Sequence, residues 1–329
     1  MKVAVMTSRE RYERFSDPAQ MPQGTESIFL GMSYTADDVR KKCSEAEYAI
    51  VDAVGELTAE MIDAMPKLKM IHSEGVGYNR IDTAAAAARG IPVCNNRGVN
   101  AGPVAEQAVM LMLCCLRRFL EGDRLVREGR QGETKSRFIM EGLNDLSRRH
   151  VGIVGLGAIG AELAKRLRPF GCRVSYTSRR RAPAEREREL GVDYMTQEQL
   201  FAECDIISLN CPVTPETEGM IDLSALRRMK PETILINTAR GALVRDADLA
   251  EAIRSGIIYG AGLDTLDPEP VPADDPLLLL PAPWNERVAL SPHIGGTTLS
   301  VFRDSYVNIW DAINAAESGA RPANIVNGL

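Results

Sequence analysis

The chain has 329 residues, 45% of them hydrophobic and 26% charged, with a formal net charge of −6; that length supports two domains with cores of their own. The negative balance, with only the short basic runs Arg148-Arg149 and Arg179-Arg180-Arg181, argues against a nucleic-acid partner, and the longest apolar run, 109–116, is far short of the roughly 20 residues that span a bilayer. Seven scattered cysteines with no Cys-x-x-Cys and no zinc spacing read as reduced thiols in a cytoplasm, with no metal site.

In chain order, Met1–Met6 reads as a first strand rather than a leader. Further β-type runs at 48–51, 70–72 and 92–94 alternate with helical stretches at 37–44, 59–64 and 82–89, the pattern of a small doubly wound α/β unit. After the run at 70–72, Gly75-Val76-Gly77 makes a turn whose backbone amides can form a nest for a carboxylate. Glu74 stands beside that turn, where it would repel an anion, so it is expected either to face away or to select a polar substrate side chain. Asn100 is a candidate for substrate contact or for a hinge. The helix predicted over 103–120 is apolar nearly all round at its centre, which implies burial between two domains, with Glu106 holding it in place. Segment 121–150 is charged and shows no clear periodicity, so it is expected to be an irregular arm, with dimer contact as its role.

A second series follows at 151–154, 173–176, 205–209, 233–236, 258–263 and 288–290. Between its first two strands stands Gly155-Leu156-Gly157-Ala158-Ile159-Gly160, with an amphipathic helix at 161–168 behind it, which is strand, loop and helix in the order that dinucleotide binding requires. Gly155 makes the tight turn, Gly157 lets the backbone approach a pyrophosphate, and Gly160 allows helix and strand to close up, while the helix start offers unpaired amides. About 20 residues on, an NAD site would carry an acid for the ribose hydroxyls. Here Thr177 and Ser178 occupy that place and Arg179 and Arg180 follow, a set that suits a 2′-phosphate and favours NADP(H). NAD(H) is the alternative, with the arginines a solvated turn.

Three charged groups then each follow a predicted strand. Arg240, in Asn-Thr-Ala-Arg-Gly, carries a planar fork that can hold a carboxylate or a developing alkoxide. Glu269, in Asp-Pro-Glu-Pro, can fix the tautomer of an imidazole. His293, in Ser-Pro-His-Ile-Gly-Gly, is one of only three histidines and is suited to proton transfer near neutrality. His72 and His150 are expected to be structural. Asp264 could hold the nicotinamide carboxamide or cap a loop. A last helix at 298–318 is long enough to return the tail to the first domain, giving a substrate domain of 1–100 with 297–329 and a dinucleotide domain of 101–296.

With Glu74 to Asp82, Val104-Ala-Glu106, Gly155 to Gly160, Ile236 to Gly241, Gly262-Leu-Asp264 with Glu269-Pro270, and Pro292 to Gly296, the chain resembles the D-isomer-specific 2-hydroxyacid dehydrogenase family over nearly its whole length, and in particular its glyoxylate/hydroxypyruvate reductase-like members. The resemblance implies a Rossmann domain inserted in a smaller flavodoxin-like substrate domain, a homodimer, and a small 2-oxo acid bound between the domains. By it, Gly75 to Gly77 take the substrate carboxylate, Arg240 binds substrate, and His293 with Glu269 is the acid/base. The product would be a D-2-hydroxy acid. Two other readings share the scaffold: a dinucleotide-sensing, corepressor-like binding protein, which needs no complete triad, and a formate dehydrogenase, against which glutamate at 269 argues.

Overall fold

A computed structural model describes residues 1–329, which form two compact units, Met1–Asn100 with Thr297–Leu329, and Ala101–Gly296. The first unit runs β1 (Lys2–Met6), α1 (Arg9–Phe15), β2 (Glu26–Phe29), α2 (Ala36–Cys43), β3 (Tyr48–Val51), α3 (Ala59–Asp63), β4 (Met70–Ser73), α4 (Thr83–Ala88) and β5 (Val93–Cys94). Its strands are all parallel, in the order β2-β1-β3-β4-β5. Parallel strands need both faces covered, and β1, β3 and β4 are correspondingly continuous runs of buried residues. Side-chain caps start the helices: Thr35 and Asp38 form a capping box on α2, and Thr58 and Asp82 cap α3 and α4. Strand β2 was not visible as a pattern because it is an edge strand with an exposed Glu26 and no clean alternation.

The second unit runs α5 (Ala101–Leu116), α6 (Phe119–Arg127), α7 (Gln131–Glu141), β6 (His150–Val154), α8 (Ala158–Leu167), β7 (Arg173–Thr177), α9 (Ala184–Leu190), β8 (Asp193–Tyr194), α10 (Gln197–Glu203), β9 (Ile206–Leu209), α11 (Leu223–Leu226), β10 (Ile234–Asn237), α12 (Asp246–Arg254), β11 (Gly260–Leu263) and β12 (Val288–Leu290). These strands are also parallel throughout, in the order β12-β11-β10-β9-β6-β7-β8. The chain then ends with α13 (Leu299–Glu317), whose Tyr306, Ile309, Trp310 and Ile313 pack on β1, β3 and β4 of the first unit. Strand order reverses about β1 in one sheet and about β6 in the other. Such switch points are where ligands bind outside the carboxyl ends of open parallel sheets.

Two expectations from the sequence need correction. The apolar helix is α5, ending at Leu116 rather than at Leu120; one side packs on α8 and on β10, β11 and β12 of its own unit, while Glu106 and Met110 are exposed. Segment 121–150 is not irregular but mostly helical, in α6 and α7. Ion pairs one turn apart, including Arg124–Glu128, Arg127–Asp123, Arg130–Glu133 and Arg137–Glu141, lace the two helices, while Leu125 is buried and Phe119, Val126 and Ile139 are exposed. No helix is long and apolar enough to cross a membrane.

Candidate active site

At the switch point of the seven-stranded sheet, Gly155 follows β6 with φ +101, and a Cβ there would lie 2.7 Å from the Asn210 carbonyl oxygen, just past β9. Only glycine fits. Gly160, in the first turn of α8, is equally constrained: a Cβ would come within 2.1 Å of the Gly155 carbonyl oxygen. Gly157 instead faces open space, as do the exposed backbone of Ala158 and the half-buried Ile159 that begin α8. The cradle therefore has closed sides and an open mouth lined by helix-start amides, which fits a pyrophosphate. Ser178 steadies its rim, its hydroxyl accepting from the Leu156 N–H at 2.8 Å, while Thr177, at the end of β7, is buried and takes the Gly155 N–H on its carbonyl. Arg179 and Arg180 are exposed on the following turn. Arg181 differs, because Glu187 takes its fork at 2.8 and 2.9 Å.

Along the same edge, Asn237 ends β10 and folds the next loop back: its amide donates to the Arg240 carbonyl at 2.8 Å and its side-chain oxygen accepts from Ala239 N–H at 3.1 Å. Arg240 follows, exposed, with Nη1 donating to the Ala239 carbonyl. Its neighbour Gly241 sits against the backbone of Leu266 and Asp267, where a Cβ would be 2.0 Å from a carbonyl carbon. The arginine loop is thus pressed onto the loop that delivers Glu269. That carboxylate accepts from Leu266 N–H at 3.3 Å through one oxygen and meets His293 Nδ1 at 2.7 Å through the other. An ionised carboxylate only accepts, so Nδ1 carries the proton and Nε2 is left for exchange. The imidazole is 42% exposed.

His293 itself takes φ +55, in the left-handed region, inside a loop pinned by Asp264. The Asp264 carboxylate, 2% exposed, accepts from the N–H groups of Ile294 at 3.0 Å and Gly295 at 2.8 Å and from the Ser291 hydroxyl at 2.5 Å. Of the two roles open to Asp264, loop capping is the one that its hydrogen bonds fill. Gln107 of α5 also holds this loop, donating to Ser291 Oγ at 2.8 Å. Neither Gln107 nor Ser291 nor Asn237 stood out in the sequence, although each lies within or beside a matching motif. Glu106 is more exposed and pairs with Arg166 of α8.

In the first unit, the carbonyls of Gly75, Val76 and Gly77 are tied back by Asn96 N–H at 2.9 Å, Asn95 Nδ2 at 2.7 Å and Ser73 Oγ at 2.5 Å. With those carbonyls engaged, the N–H groups of the same turn are what it offers to an anion. Asn100 lies half-buried in the turn before α5. Glu74 neither faces away nor stands free. It is 4% exposed and bidentate to Arg11, Nε to Oε1 at 3.0 Å and Nη2 to Oε2 at 2.7 Å. Tyr306 donates to it at 2.6 Å and Thr7 at 2.8 Å, and Arg11 pairs with Asp52 as well. Burial raises the Glu74 carboxyl above its usual range, with Arg11 opposing. Burial tends to lower the Arg11 pKa, but Glu74 and Asp52 outweigh it and hold the group above its usual value. Nothing in the sequence pattern joined Thr7, Arg11, Asp52 and Tyr306.

The other histidines differ in kind. Burial pushes His72 down to about 4, with Nδ1 against the Ser73 carbonyl. His150 is also lowered, by burial and then by Arg173, and its Nε2 meets Ser175 Oγ at 2.8 Å.

A sequence model of the D-isomer specific 2-hydroxyacid dehydrogenase NAD binding domain matches residues 109–295. The chain is 39% identical over 287 residues to a glyoxylate reductase of Korarchaeum cryptofilum (strain OPF8), covering 87% of this chain and 83% of that one. With a glyoxylate reductase of Thermococcus litoralis (strain ATCC 51850 / DSM 5473 / JCM 8560 / NS-C) it shares 36% over 317 residues, 96% of this chain and 90% of the other. The crystal structure of the TT0316 protein from Thermus thermophilus is similar with a TM-score of 0.84 at 31% identity, covering 99% of this chain and 100% of that one.

Proposed function

This chain belongs to the D-isomer specific 2-hydroxyacid dehydrogenase family, and from that premise we propose that it reduces a small 2-oxo acid to the D-2-hydroxy acid, with NADPH favoured over NADH as reductant. The glycine cradle of Gly155 to Gly160 and the start of α8 would hold the pyrophosphate, and Ser178, Arg179 and Arg180 the 2′-phosphate side of the adenosine. When bound, the dinucleotide supplies the hydride that goes to the substrate's C2. His293 Nε2 gives its proton to the former carbonyl oxygen, while Glu269 keeps the ring oriented through Nδ1 and balances its charge. Arg240 aims its fork at the substrate, where a planar pair of donors suits a carboxylate and the growing negative charge on oxygen. In the first unit the N–H groups of Gly75, Val76 and Gly77 take the substrate carboxylate.

The observation that carries this reading is the Glu269–His293 bond of 2.7 Å on an exposed ring with Nε2 free, since a dinucleotide sensor has no need of a poised proton donor. The test is loss of reduced-cofactor absorbance with glyoxylate, hydroxypyruvate and pyruvate, each with NADPH and NADH. Turnover in the order NADPH over NADH is expected; no turnover with any acid would overturn the reading.

For assembly, the exposed apolar side chains Phe119, Val126 and Ile139 on α6 and α7 border a groove of about 690 Å³ and favour a second copy of this chain as the partner. Light scattering should give twice the chain mass, and Ile139→Asp should shift it towards the monomer. A wild-type monomer at micromolar concentration would overturn the dimer.

A further inference from the structure

The switch point of the five-stranded sheet is filled with charge. Thr7, Asp52 and Glu74 leave the carboxyl ends of β1, β3 and β4, and Arg11 of α1 is clamped between the two carboxylates. The same cluster braces the substrate turn. Glu74 precedes Gly75 directly, and a Cβ on Gly75 would lie 2.7 Å from the Ala53 Cβ, on the loop that Asp52 holds by accepting from Val54 N–H at 2.9 Å. Two carboxylates against one guanidinium leave a surplus negative charge. Of the charged groups on the adjoining turns, Arg80 and Glu56 pair with each other at 3.7 Å, and Arg97 is exposed to solvent. Low dielectric at this largely buried site lets that charge reach further than a surface charge would.

Resting on the proposed role of Gly75 to Gly77, we infer that the Arg11–Asp52–Glu74 cluster sets substrate specificity: it admits 2-oxo acids whose remaining group on C2 is small and neutral, hydrogen, methyl or hydroxymethyl, and rejects those bearing a second anionic group. One carboxylate on the substrate is drawn to the amide nest. A second, at the far end of the molecule, meets the surplus charge of the cluster, and Arg11 cannot pair with it because Glu74 and Asp52 already engage its Nε and Nη2.

The experiment compares kcat/KM for glyoxylate and hydroxypyruvate with that for oxaloacetate and 2-oxoglutarate, in the wild type and in Glu74→Gln, Asp52→Asn and Arg11→Met, at low and at high potassium chloride. The wild type should prefer the monoanions by about tenfold or more. Glu74→Gln and Asp52→Asn each remove one negative charge and should narrow that ratio by about fivefold, mainly through KM of the diacids. Arg11→Met should widen it by a similar factor, and high salt should compress all the ratios. Damage to packing alone would move the variants in one direction, not in opposite ones. Should Arg11→Met not fold, the two carboxylate variants decide: a ratio unmoved in both, or widened in either, overturns the inference. Turnover of monoanions with unmoved ratios would sink this inference alone, whereas absence of turnover with every acid would sink the function on which it rests.

Discussion

The two switch points of this chain have the same architecture and opposite contents. Outside β6 and β9 the crevice is walled by glycines whose missing side chains leave room, and the charged groups further along the edge are exposed, Arg240 and Glu269 held by backbone contacts and His293 by Glu269. Outside β1 and β3 the crevice is closed by side chains that satisfy one another: Arg11, Asp52, Glu74, Thr7 and Tyr306. The difference separates groups that can react from groups that can only set a field. A proton donor needs one nitrogen held and one free, as in His293, whereas an ion cluster with its donors and acceptors matched has little left to exchange.

The sharpest way to break that contrast is to remove one group from each side. His293→Ala should lower kcat by roughly a hundredfold or more with little change in affinity for the reduced dinucleotide. Tyr306→Phe takes a hydroxyl from the buried cluster and should lower the unfolding free energy by about 1 to 2 kcal/mol while leaving kcat within a few-fold of wild type. Steady-state kinetics and urea unfolding check both; a Tyr306→Phe enzyme as inactive as His293→Ala would mean that the buried cluster takes part in the chemistry.

A smaller effect sharpens the account of the open crevice. The exposed Arg179 and Arg180 are the groups available to a 2′-phosphate, since Arg181 is bound to Glu187. Wild type should favour NADPH over NADH in kcat/KM by roughly tenfold to a hundredfold, and the double variant Thr177→Asp, Arg179→Ala should lose that preference or reverse it. Equal use of the two cofactors by the wild type would make these arginines a solvated turn.

The smallest effect concerns stability. Beside the loop carrying Glu269, burial and then the neighbouring Asp275 push the Asp246 carboxyl up to about 7. A carboxyl that holds its proton more tightly in the folded chain than in the unfolded one stabilises the fold at low pH, and that contribution is lost as pH rises through the folded value. Repulsion between Asp246 and Asp275 should therefore tell above neutrality. After allowance for solvent screening at a half-buried site, Asp246→Asn should stabilise the protein by roughly 1 kcal/mol at about pH 8.5 and by roughly half of that at about pH 5.5. Thermal unfolding at the two pH values reads this directly, and an equal gain at both would show that charge is not the cause.

What the sequence determined by itself was everything encoded locally. Buried parallel strands announce themselves as apolar runs, and a glycine loop between strand and helix announces a phosphate cradle, because those residues answer to their immediate neighbours along the chain. Arg240, Glu269 and His293 were legible for the same reason, each sitting in a short motif after a strand. Edge strands β2 and β8 escaped because an edge relaxes the demand for apolar residues, and α6 with α7 escaped because their dense charges, paired one turn apart, mask the few apolar positions between them. Only the tertiary structure could decide what Glu74 does. Its partners stand 63 and 232 residues away, on α1 and α13, and a charge whose neutraliser is that distant along the chain has no local signature; its meaning is fixed when the sheet order brings β1, β3 and β4 side by side.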